Sequence, residues 1–234
     1  MNKPEATYAL NRYTLYSILF LIILLPHFLQ AGYHLEKKVN QADTTNKLTK
    51  IEKLIRSSEY HALRKTGKSI QEAKKALNLS KNEKSPLHIA KSYFQLGFAH
   101  YNLNHYDSAI TFFEEAAKLS KRNNNNRILA LTYNRLGNTY QLQGHFNKAI
   151  QYYQNALELN KSINNTKEIA RSLTNIGSVY RTFGEYNKAI QFHLKALSIH
   201  EEIQYNEGIA WSSLNISRLF KLNEQYDKAL DYLD

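Results

Sequence analysis

Apolar residues recur along this chain at two spacings at once. Within short stretches they stand three and four apart, as Tyr133, Leu136 and Tyr140 do, and again Ile150, Tyr153 and Leu157. That is the spacing of one face of an α-helix. Over a longer distance the faces themselves return every 40 residues. The pentapeptide "NKAIQ" occurs at Asn147 and at Asn187, and its surroundings return with it: "GHFNKAIQYYQNALELN" from Gly144 is echoed by "GEYNKAIQFHLKALSIH" from Gly184. A repeat of this length marks a chain built of stacked units.

Aligned at this period, one column reads Ala109, Ala149, Ala189 and Ala229, each followed by Ile110, Ile150, Ile190 or Leu230. Three residues earlier stand Tyr106, Phe146, Tyr186 and Tyr226, and twelve earlier Gly97, Gly137, Gly177 and Ser217. Leu96, Leu136, Ile176 and Ile216 precede that last column. Each unit therefore holds two helices. Gly144 and Gly184 supply the turn between them, with Asn104 and Glu224 in the equivalent places. Ser85 before Pro86, Asn125 and Asn165 are expected to cap the first helix through their side chains, Asn165 with Glu168 as a capping box. Tyr205 breaks this column, leaving Asn206 as the substitute cap. A glycine inside a helix costs about 1 kcal/mol against alanine, so the return of Gly97, Gly137 and Gly177 implies close approach of the paired helix.

The run Tyr133-x-x-Leu136-Gly137-x-x-Tyr140, followed by Ala149 and Tyr153, resembles the tetratricopeptide repeat pattern Trp-x-x-Leu-Gly-x-x-Tyr, Ala, aromatic. These units depart from the family in length, running 40 residues rather than about 34, and in lacking its terminal proline. They are similar to a long-repeat subgroup with longer helices. The resemblance implies an all-α, right-handed superhelical solenoid of antiparallel helix pairs. The segments are then 1–31, a hydrophobic N-terminal segment; 32–43, a linker; 44–84, a degenerate capping repeat; 85–124, 125–164 and 165–204, three full repeats; and 205–234, a fourth begun. The capping repeat carries "ALNLS" at Ala76 in register, with Ile51, Leu54, Ile55 and Leu63 on its first helix. The unfinished fourth unit gives the expectation that the sequence is the front part of a longer protein.

The 17 Tyr are high for a helical chain, and the columns account for them. Net charge is +11, with the excess early: residues 32–90 carry 13 Lys/Arg against 6 Asp/Glu. Lys68, Lys74, Lys75 and Lys81 alternate with apolar residues as a solvated helix face does, and no base-stacking aromatics interleave, so no nucleic-acid partner is expected. Cysteine is absent, which removes disulfides, thiolate metal sites and a Cys nucleophile. After Lys3 and Arg12 comes "LYSILFLIILL", Leu15 to Leu25, then Pro26 and small residues to Ala31. That is the plan of an export signal, cleaved or kept as a membrane anchor, and it places the chain in the periplasm or cell envelope.

Catalytic chemistry is not legible. "TGKS" at Thr66–Ser69 lacks the earlier glycine of a phosphate-binding loop and reads as a helix junction. His100 with His105 and His193 with His200 are the nearest approaches to metal spacing, without a carboxylate partner. No cofactor or metal is expected, and no catalysis in this segment.

Arrays of this family bind protein or peptide partners on a concave surface lined by first helices. The resemblance places there Phe94 and Phe98; Asn134, Arg135 and Asn138; Arg171, Asn175 and Ser178; and Trp211, Asn215 and Arg218. Asn175 and Asn215 occupy equivalent places, and an amide suits the backbone of an extended peptide; the arginines suit carboxylates. The family's carboxylate clamp wants Lys and Asn a turn apart, and Asn134 with Asn138 does not supply it. The combination resembles the sensory front half of bacterial membrane histidine kinases or helix-turn-helix regulators. The alternatives are a membrane-tethered adaptor and the non-catalytic arm of an enzyme.

Overall fold

The structure, a computed structural model, describes residues 25–232. The apolar run on which the export signal or anchor rests lies, but for Leu25, outside the described residues. Among the described residues no helix is long and apolar enough to cross a membrane. Ten helices are described there: α1 (Leu25–His61), α2 (Thr66–Asn82), α3 (Pro86–Asn102), α4 (Tyr106–Arg122), α5 (Asn126–Leu142), α6 (Phe146–Ser162), α7 (Thr166–Thr182), α8 (Tyr186–Glu202), α9 (Asn206–Leu222) and α10 (Tyr226–Leu230).

The chain divides into two compact units, Met1–Lys50 and Ile51–Asp234. In the first, residues 32–43, expected as a linker, are helical within α1. After Gly32 they hold neither proline nor glycine to break it.

The second unit is an all-α solenoid of antiparallel helix pairs. Each of α2 to α9 is 17 residues long and is followed by three turn residues, so two helices and two turns make the 40-residue period. The turns are alike in backbone. A residue with positive φ recurs at Lys84, Asn104, Asn124, Gly144, Asn164, Gly184, Gln204 and Glu224. The residue after each donates its N–H to the carbonyl five back, as His105 does to His100 and His145 to Tyr140. This is the Schellman closure, which satisfies the last carbonyls of a helix while reversing the chain. The intra-pair turns expected at Asn104, Gly144, Gly184 and Glu224 are among these eight.

Most helix starts do without a side-chain cap. Asn125 does cap as expected, its Oδ1 accepting from Ile128 N at 3.1 Å. The caps expected from Ser85 and Asn165 are not made. Ser85 Oγ lies 2.7 Å from His88 Nδ1 instead. The capping box fails because Glu168 turns to Arg171, 2.8 Å away. Asn206 is the first residue of α9 and does not cap it; Tyr205 stands at the N-cap position.

Glycine and ring meet inside each pair. A Cβ built on Gly97 would lie 2.6 Å from the Phe113 ring, and one on Gly137 2.5 Å from the Tyr153 ring. On Gly177 it would meet His193 at 3.0 Å and the Ala189 carbonyl at 3.2 Å. Phe113 and Tyr153 are fully buried, each contributing about 1.5–3 kcal/mol by that burial. The alanine column lies opposite, Ala109, Ala149 and Ala189 with no exposed surface and Ala229 nearly so. In the last pair Ser217 replaces the glycine and donates to Ala229 O at 2.7 Å. The first pair has Ser58 and Ser69 exchanging hydroxyl bonds, each to the other's carbonyl, at 2.9 and 2.8 Å. There Ile51 and Ile55 are buried as expected, whereas Leu63 falls in the turn after α1 and is exposed.

Successive pairs do not touch evenly. The first helices meet their counterparts, α3 with α5 and α5 with α7, while α4 with α6 and α6 with α8 make no comparable approach. The closer-packed side of a curved stack is its inner side, so the first helices line the concave surface.

Candidate functional site

Four columns of the first helices point to that inner side: Leu131, Arg171 and Trp211; Asn134 and Thr174; Arg135 and Asn175; and Asn138. Together with Lys167 and Glu168 at the start of α7, Glu207 and Gly208 at the start of α9, Tyr205 before it and His200 of α8, they line a groove of about 540 Å³ across α5, α7 and α9. Six of the residues expected on this surface meet there: Asn134, Arg135, Asn138, Arg171, Asn175 and Trp211.

The remaining five go elsewhere. Phe94 is not left over after packing, because its ring lies 5.7 Å from Phe113. Phe98 stacks on Tyr101 at 6.4 Å. Ser178 Oγ donates to Thr174 O within its own helix. Asn215 and Arg218, one half-buried and one exposed, do not line the groove. The equivalence of Asn175 and Asn215 in sequence therefore does not make them equivalent in the groove.

Polar groups in the groove are unevenly satisfied. Asn138 Oδ1 accepts from the Tyr153 hydroxyl at 2.7 Å, which ties the groove floor to the ring packed on Gly137. Burial pushes the Tyr153 phenol well above its ordinary pKa, so it stays a donor. Asn134 is 4% exposed; its Oδ1 accepts from Ser172 Oγ at 3.2 Å, and its Nδ2 finds no acceptor. Arg171 is paired with Glu168. Arg135 has no such pair: its Cζ sits 4.4 Å over the Phe98 ring, and burial, then the charge of Arg171, lowers its pKa.

The rim toward α9 was not anticipated. Tyr205 carries the Lys167 ammonium 3.8 Å over its ring and donates its hydroxyl to Glu207 at 2.8 Å. Behind it His200 lies 3.1 Å from Ser212 Oγ, its pKa lowered chiefly by burial. Gly208 makes room for both rings: a Cβ there would come within 2.4 Å of Tyr205 and 2.6 Å of His200. The signal was present in the column His88, Ile128, Glu168, Gly208, where the fourth unit alone drops its side chain.

The residues weighed for chemistry are structural. Thr66–Ser69 form the first turn of α2, with Ser69 buried. His100 and His105 have ring centroids 5.9 Å apart, and burial foremost lowers the His100 pKa. His193 is 1% exposed beneath Gly177, and burial holds its pKa down to about 4. No group of three His, Cys, Asp or Glu stands ready to hold a metal among the described residues.

Comparison with known proteins agrees with this geometry. The tetratricopeptide repeat family model matches residues 89–162, 127–202 and 168–234. Among curated proteins none matches. Of solved structures, BtubC from P. vanneervenii is similar with TM-score 0.61 at 18% identity, over 83% of this chain and 88% of that one. The Rap conjugation gene regulator of plasmid pLS20, solved with the Phr* peptide, has TM-score 0.65 at 18% identity, over 80% of this chain and 52% of its own. A signal-transduction ATPase with a tetratricopeptide repeat sensor, from Pyrococcus horikoshii, has TM-score 0.67 at 15% identity, over 87% and 32%.

Proposed function

We propose, from the premise that the chain belongs to the tetratricopeptide repeat family, that its concave groove holds an extended peptide and that this capture is the sensory event of a longer signalling protein. The fold is an interaction module. The finer reading is that peptide capture changes the curvature of the array and passes strain to an effector, a histidine kinase or helix-turn-helix regulator. The chain works in the cell envelope, exported or anchored by residues 1–31.

The observation that carries the reading is the groove across α5, α7 and α9, where amides and guanidinium groups converge beside the exposed Trp211. Grooves of stacked helices bind by a few such polar groups set among apolar ones. In support, a Rap regulator of similar fold was solved with a peptide, and an ATPase of similar fold uses its repeats as a sensor.

The test is capture of peptides from a displayed random library by the full chain. Asn175→Ala is expected to lose captured peptides while keeping its helical melting curve. Undiminished capture by that variant would refute the groove.

A further inference from the structure

Among the described residues, two cations at the groove, Arg135 and Lys167, pair with no carboxylate and lie over rings instead. Arg171 pairs with Glu168, Glu207 accepts from Tyr205, and Lys167 lies over the Tyr205 ring. Arg135 is half-buried and holds no carboxylate within ion-pair distance among the described residues; its fixed contact is the face of Phe98. A guanidinium held over a ring is positioned without using its five N–H donors. Leaving them partly desolvated and without an acceptor is costly unless a ligand supplies one. Beside it, Asn134 is almost fully buried, so the guanidinium is the donor that a groove ligand meets.

From this guanidinium without a carboxylate we infer that the groove selects an extended peptide with an acidic side chain, whose carboxylate is received by Arg135. This rests on the peptide-groove reading above and adds the chemistry of the ligand. A carboxylate matches the planar fork of a guanidinium in two parallel hydrogen bonds, which an amide or ammonium ligand cannot do. Arg171, paired with Glu168 at 2.8 Å and half-exposed, lies on the same groove. The groove crosses three successive helix pairs, so the peptide continues past Arg135, and the carboxylate it presents there is an internal side chain.

The chain holds one tryptophan, and Trp211 is 56% exposed on this groove, so its emission reports occupancy. The full chain is titrated with N-acetylated, C-amidated peptides whose side chains are acidic, neutral or basic. The acidic peptides are expected to bind at least about tenfold tighter than neutral ones, with the preference weakening in salt. Arg135→Gln should abolish that preference and leave the weaker binding; Arg171→Gln should reduce it; Lys118→Gln, on an exposed second-helix face, should leave it intact. Should Arg135→Gln fail to fold, Arg135→Lys keeps charge and stem but not the fork, and a partial loss is expected.

Equal binding of neutral and acidic peptides would overturn the inference while leaving the groove itself standing. So would an acidic preference unchanged in the Arg135 variants, which would trace it to the general positive charge of the chain. Binding only of peptides with a free C-terminus would overturn the internal side chain. No response to any peptide would sink both readings.

Discussion

The two faces of each first helix follow different rules. Toward its partner helix, Gly97, Gly137 and Gly177 stand under Phe113, Tyr153 and His193, the same small-against-flat contact each time. Toward the groove the same register positions change from unit to unit: Arg135 and Asn175 in one column, Leu131, Arg171 and Trp211 in another. The inner contact is repeated because every pair solves the same packing problem. The groove columns are free to differ because no neighbouring helix fills the space before them. Packing residues therefore set stability, and the groove residues are the ones we propose for binding, with Tyr153 touching both through Asn138.

The sharpest way to break the packing face is Tyr153→Ala. It removes a fully buried ring from the Gly137 contact and is expected to cost about 3–5 kcal/mol in urea unfolding. A loss under about 1 kcal/mol would mean the pair closes over the gap.

His193 allows a subtler test, since it fills the same place with a titratable ring. Its folded pKa is held at about 4 against an ordinary 6.5, because burial disfavours the cation and Arg181 adds to this. Above pH 6.5 both folded and unfolded chains keep it neutral and its contribution is complete. As pH falls from 6.5 toward 4 the unfolded chain takes the proton first, so stability drops by up to about 3 kcal/mol. His193→Tyr, which copies the second unit, should remove that part of the decline. The lowered pKa values of His88, His100 and His200 leave a decline of their own in place. A pH profile unaltered by the substitution would contradict the packing assignment. Smallest of all, Asn175→Ala on the groove face should move stability by no more than about 0.5 kcal/mol.

The packing face was legible in the sequence because it repeats: four aligned copies of a glycine or serine column and an alanine column leave little doubt which residues meet. Turns at Gly144 and Gly184 were legible for the same reason. Helix caps were less so, since Ser85 and Asn165 carry the right side chains but Ser85 Oγ turns to His88 and Glu168 of the capping box to Arg171. The groove rim was hardest. Tyr205 and Gly208 depart from their columns, and a departure shows that something has changed without showing that His200 and Lys167 gather around it. Arg135 was expected on the inner face; that it lacks a counterion is a fact of three-dimensional neighbours.

The most direct test of the account is a cross-linking map. Peptides captured by the full chain would carry a photoreactive side chain, and the attached residues would be found by mass spectrometry. The account predicts adducts on α5, α7 and α9, near Arg135, Asn175 and Trp211. Adducts confined to α6 and α8 would place the ligand on the outer face and contradict it.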